Sequence, residues 1–215
     1  MLNKLFILTF LALTLNNVAF ADFISVEAVD LYSTGDELIT KVMITEEDGQ
    51  TESNEWLDIT QTLGISYNNM IPMLQEGGAF EGWRYATHQE VRTLIRAFGL
   101  PEWQSIGIWP NDGLNQNTRE LTDYLGSTIP DNSSGTRFGI SGITGTFTDE
   151  SNLISMNAVY NGSRRELNLD GSTTRSVNYT SDYSGSYLVR TVPIPAAAWL
   201  FCSALIGLVG VKRKK

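Results

Sequence analysis

Apolar and polar positions alternate over residues 23–31 (FISVEAVDL), and 38–45 are rich in β-branched side chains, with Ser33-Thr34-Gly35-Asp36 as turn chemistry between them. That pattern predicts a β-hairpin. Residues 55–60 (EWLDIT) predict a short strand with Trp56 on one face. The period then lengthens. Met70, Ile71 and Leu74 suit a short helix over 67–75 capped by Ser66, which Pro72 should kink or shorten before Gly77-Gly78 ends it. Thr87 and Glu90 make a capping box, and Val91, Leu94, Ile95 and Phe98 fall on one helical stripe that Gly99 and Pro101 close. A second capping box, Asn117-Thr118-Arg119-Glu120, predicts a helix from there to Leu125.

From Thr136 onward the chain turns β. Strands are expected over 137–147, 153–160 and 164–169, with Asn161-Gly162 as a hairpin signal and Asp170-Gly171 as a turn. Residues 178–183 are polar and loop-like, and 186–191 predict a closing strand. The fold class that follows is α+β: one β-rich domain with two or three short helices and no internal repeat.

Both chain ends break this pattern. Lys4, the apolar run 5–15 and Ala19-Phe20-Ala21, an A-x-A cleavage pattern at Ala19 and Ala21, read as a secretory signal peptide over 1–21. A permanent N-terminal anchor is the weaker reading, because the run is short and a cleavage pattern follows it. At the other end, 196–211 (AAAWLFCSALIGLVGV) carry no charge and precede the basic stop Lys212, Arg213, Lys214 and Lys215. As a helix this run reaches only ~24 Å, against a hydrocarbon core of roughly 30 Å. It is a marginal membrane hook whose basic end would stay cytoplasmic. The expected organisation is a signal peptide over 1–21, an exported domain over 22–191 and a tail over 192–215.

Charge sharpens the picture. Lys4 and the four terminal basic residues are five of the 15 basic side chains, so ten face 24 acidic ones across the body, a balance of −14. Such a body repels phosphate backbones, so nucleic acid is not an expected partner. Cys202, the only cysteine, lies in the tail, so the body forms no disulfide and depends on packing. The acidic stretch Glu46-Glu47-Asp48-Gly49 reads as a solvated turn, since it lacks the ligand spacing of an EF-hand.

Candidate chemistry is sparse. His88 is the only histidine, placed at the first position of a helix and expected to face solvent. No nucleophile elbow or phosphate loop accompanies it. No catalytic, cofactor-binding or metal residue is therefore assigned. A carboxylate pair for glycoside cleavage has no fixed spacing and stays open, with Asp58 and Glu81 as possible members. Asp58 is better explained as a turn or cap partner. Trp83, Arg84 and Tyr85 offer either a stacking platform or core plugs, and the core reading is favoured because Trp buries so much area. Arg84 is expected to pair with Asp58. Trp103 and Trp109, flanking Pro101 and Pro110 in an expected loop, are the candidate exposed glycan contacts.

Val192-Pro193-Ile194-Pro195, followed by Ala196–Phe201 with Trp199, then Gly207–Val211 and the basic end, resembles the PEP-CTERM sorting signal. It is most similar to the variant with an aliphatic residue between the prolines, here Ile194. The resemblance implies export by the Sec machinery and signal peptidase, then processing by an exosortase in Gram-negative bacteria that make extracellular polysaccharide. Residues 55–99 also resemble a segment frequent in uncharacterised PEP-CTERM proteins. More remotely, Gly82-Trp83-Arg84-Tyr85-Ala86-Thr87 with Glu90-Val91 is similar to the Trp-Arg-Leu-Pro-Thr element of C-type-lectin-like bacterial domains, whose last strand often ends in Val-Arg, as Val189-Arg190 does here. With the sorting resemblance, the empty search for catalytic motifs and the small single domain favour a non-enzymatic component of the envelope, exopolysaccharide or biofilm, structural or glycan-binding, with membrane contact through the C-terminal helix. The alternative is a secreted glycan-processing enzyme.

Overall fold

The computed structural model describes residues 23–45, 51–101, 107–110, 113–129, 137–161 and 166–192. Among these the fold is α+β, with two sheets and three α-helices. The first sheet has the order β1 (Phe23–Val29), β2 (Ile39–Thr45), β3 (Thr51–Leu57), β11 (Leu188–Thr191), β4 (Arg84–Tyr85), antiparallel throughout. The second runs β10 (Gly185–Ser186), β6 (Arg137–Asp149), β7 (Asn152–Asn161), β8 (Glu166–Asp170), β5 (Gly107–Pro110), with β9 (Thr174–Ser176) also on β7. Helices α1 (Tyr67–Met73), α2 (His88–Ala97) and α3 (Gly113–Leu125) pack on them.

Register explains how one chain fills two cores. Alternate side chains of a strand face opposite ways. Val42, Trp56 and Val189 therefore share one face of the first sheet, while Ile39, Leu57 and Leu188 share the other. The first set joins Val91, Leu94, Ile95 and Phe98 of α2, Leu121 and Leu125 of α3, and the inner face of the second sheet (Phe138, Ile140, Met156, Ala158, Leu167, Leu169). The second set joins Met70 of α1, Phe80, Trp83, Tyr85, Ile143 and Leu153. Tyr187 is the crossing point: Ser186 pairs with β6 and Leu188 with β4, so the chain passes from one sheet to the other in one residue. Its carbonyl accepts the Ala86 N–H at 2.9 Å and its N–H donates to the Ile143 carbonyl at 3.0 Å.

The first hairpin and α2 form as the pattern predicts, and α1 ends at Met73, one residue after Pro72. Three expectations are corrected. The strand expected over 55–60 is β3, Thr51–Leu57, because Asp58 caps a 3-10 turn over Ile59–Thr62 and takes the chain out of the sheet. Helix α3 starts at Gly113, not Asn117, and Thr118 donates its hydroxyl to the Leu114 carbonyl at 2.7 Å inside the helix rather than capping it. The closing strand expected over 186–191 is split at Tyr187 into β10 and β11, which lie in different sheets, and β4, β5 and β9, at two to four residues each, are too short to show a period in the sequence. Asn161 ends β7, while Gly162 of the expected Asn161-Gly162 turn, the 46–49 turn, the signal peptide and the apolar tail lie outside the described residues. Among the described residues no helix is long and apolar enough to cross a membrane.

Candidate functional site

Beside α2 the first core opens to the surface in a groove of about 470 Å³. Its floor is Val42, Ile44, Trp56 and Leu94, each buried against the core, and its rim is Glu52, Asn54, Thr87, Gln89, Glu90 and Thr93. Strand register sets this composition. Val42 pairs with Asn54 and Ile44 with Glu52, so two apolar and two polar side chains face the same way across β2 and β3. Asn54 also pairs with Thr191, which places the groove at the end of the sheet where β11 leaves it. The side chains of Glu52 and Asn54 have no hydrogen-bond partner among the described residues.

The α2 side of the rim is built by the capping box. Thr87 accepts the Glu90 N–H at 3.2 Å, and Glu90 accepts the Thr87 N–H at 2.8 Å. The same carboxylate takes both guanidinium nitrogens of Arg84, at 2.9 and 2.5 Å. Burial pushes the Glu90 carboxyl up, yet the hydrogen bonds from Arg84 and Thr87 outweigh it, and Glu90 titrates below the ordinary carboxylate range. A group held ionised in this way accepts hydrogen bonds at neutral pH and does not donate protons.

The residues singled out from sequence are distributed differently. Arg84 pairs with Glu90, not Asp58, because β4 runs straight into the α2 cap six residues on. Asp58 is spent locally, accepting the Thr60 N–H at 2.8 Å and hydroxyl at 2.5 Å; burial raises its pKa against those bonds. Glu81 accepts the Gly77 N–H at 2.9 Å. Neither lines the groove. Trp83 and Tyr85 are core plugs, and the Tyr85 hydroxyl lies 3.0 Å from the Ser186 hydroxyl. His88 does not simply face solvent. It is half-buried, its N–H donates to the Thr146 hydroxyl at 2.8 Å, and its Nε2 is buried without a partner. Burial, then the nearby Arg92 charge, lowers its pKa.

Val192 is the last described residue, and its N–H donates to the Ser53 carbonyl at 3.0 Å. Pro193, Ile194, Pro195, Lys212, Arg213, Lys214, Lys215, Ala19, Ala21 and Trp103 lie outside the described residues. Trp109, expected in a loop, instead lies in β5, opposite Leu167, because 107–110 pair with β8 at the edge of the second sheet. Among the described residues no three His, Cys, Asp or Glu side chains cluster as metal ligands do. Comparison with protein-family models, curated proteins and solved structures finds no match.

The groove residues Glu52, Asn54, Gln89 and Thr93 were missed from sequence. Residues 51–55 (TESNE) are all polar and show no alternation, and only strand register puts Asn54 beside Val42.

Proposed function

We propose that the protein is an exported component of the cell envelope or extracellular matrix, sorted by an exosortase, whose body binds or supports matrix material and does not process it. The order of segments carries this reading: a signal-peptide pattern, an acidic body, then Val192-Pro193-Ile194-Pro195, an apolar run and a basic stop. The fold supports it, since β11 and the Val192 N–H bond to Ser53 carry the described sheet up to the first residue of the sorting motif. The groove supports the non-enzymatic half. Of its two lining carboxylates, Glu52 and Glu90, the second is paired with Arg84 and held ionised, whereas a general acid needs a raised pKa.

The C-type-lectin-like likeness remains part of this proposal. It is supported by the antiparallel pairing of the Trp-Arg strand with the Val-Arg closing strand, Arg84 opposite Val189. Such a likeness concerns fold and assigns no activity.

The test is co-sedimentation of the full-length protein with matrix polysaccharide from the producing cells, with the polymer's chain length followed in parallel. Co-sedimentation without shortening is expected. Progressive shortening would establish the glycan-processing alternative.

A further inference from the structure

We propose that the groove between β2, β3 and α2 is a binding site for a compact saccharide that is neutral or carries amines, and that it discriminates against acidic sugars. The inference rests on the reading of the protein as a binder that does not cleave its ligand.

Size comes first. About 470 Å³ lies within the usual range of small-molecule sites, roughly 300–1,000 Å³. An extended peptide would gain its affinity from a free strand edge. Here β2 is paired by β1 and β3, and β3 by β2 and, over Asn54–Trp56, by β11, so among the described residues the open edge is no longer than Thr51 and Glu52, too short to add a strand. The ligand therefore meets side chains on a sheet face and not main-chain groups.

Polarity narrows the class. Val42, Ile44 and Leu94 form an apolar floor suited to the C–H face of a pyranose ring. Above them stand hydroxyls, amides and carboxylates, and among the described residues no Lys or Arg lines the groove. Since Glu90 is taken up by Arg84 and Thr87 and the Gln89 carbonyl accepts from Arg92, open hydrogen-bonding capacity lies with Glu52 and Asn54 on β3 and with the Thr93 hydroxyl and Gln89 amide NH2 on α2. A carboxylate and an amide with open valences, on an apolar floor, match a donor-rich polyol. They disfavour a uronic acid, whose charge would meet Glu52 with no lining cation to compensate.

The experiment is calorimetric titration of the full-length chain, in mild detergent, with cellotetraose, the chitosan tetramer, tetragalacturonate and trilysine. Mass spectrometry follows each tetramer. Cellotetraose or the chitosan tetramer should bind, tetragalacturonate should bind at least tenfold more weakly, and Asn54→Ala should weaken binding by about tenfold, the scale of one or two lost hydrogen bonds. Thr93→Trp, which fills the groove from the α2 side, should abolish it. Variants are compared at equal melting temperature, and Asn54→Asp serves if Asn54→Ala does not fold. The proposal fails if neither sugar binds, if both variants bind as the wild type does, if tetragalacturonate binds equally well, or if trilysine alone binds. Shortened tetramers would leave the site in place and overturn only its non-cleaving character.

Discussion

Arg84 and Glu90 form a two-pronged ion pair, at 2.9 and 2.5 Å, that locks the end of β4 to the first turn of α2. The carboxylate also receives the Thr87 N–H and hydroxyl, so two residues, one from β4 and one from the α2 cap, converge on one side chain. Capping and pairing therefore contribute differently. The Arg84 side chain is half-exposed, and pairs in that setting contribute about 0–1 kcal/mol. Arg84→Met is expected to cost less than about 1 kcal/mol, and Thr87→Ala about 1 kcal/mol through the lost cap. Urea denaturation of each variant checks the order; a larger loss for Arg84→Met would reverse it.

Asp36 ties the β1–β2 turn. Its carboxylate accepts the backbone N–H groups of Leu31, Tyr32, Ser33 and Leu38 at 2.7 to 3.3 Å. Those bonds, Leu31 first, hold its pKa down at about 2. A carboxyl whose folded pKa is depressed stabilises the fold above the unfolded value, near 3.9, and loses that contribution as pH falls toward 2. Melting temperature should fall between pH 4 and 2, and less steeply in Asp36→Asn. Parallel acid limbs in the two proteins would contradict this role.

Gly126 closes α3 with φ at 80°, and a Cβ built there would overlap the Asp58 carboxylate and the Thr60 methyl group. Gly126→Ala should cost more than about 1 kcal/mol, from both backbone strain and the collision with the 3-10 cap. The midpoint in guanidinium reports it. An unchanged midpoint would mean that the turn relaxes freely.

Leu94 contributes to the first core and to the groove floor. Leu94→Ala should cost about 2–5 kcal/mol, whereas Thr93→Ser next to it, on the rim, should stay within about 0.5 kcal/mol. Thermal melts of the two variants separate core from rim.

Local chemistry was legible in the sequence and long-range placement was not. The Thr87–Glu90 box, the Ser66 cap and the break after Pro72 depend on residues within a turn of each other, and each appears where its side chains dictate. The Asn117–Glu120 box misled because the same residue types also occur inside helices, where Thr118 bonds back to Leu114. Arg84 was assigned to the wrong acid for a related reason. Sequence shows which charges exist, but the strand-to-helix geometry decides which one lies within reach. The groove needed the pairing of β2 with β3 before Asn54 and Val42 could be placed on one face.

The most direct test of the sorting account is the intact mass and cell fraction of the native protein in a host with and without its exosortase. The account predicts loss of both ends, with the body outside the cell only when the exosortase is present. An intact Lys215 terminus in the inner membrane of both strains would contradict it and leave a plainly anchored periplasmic domain.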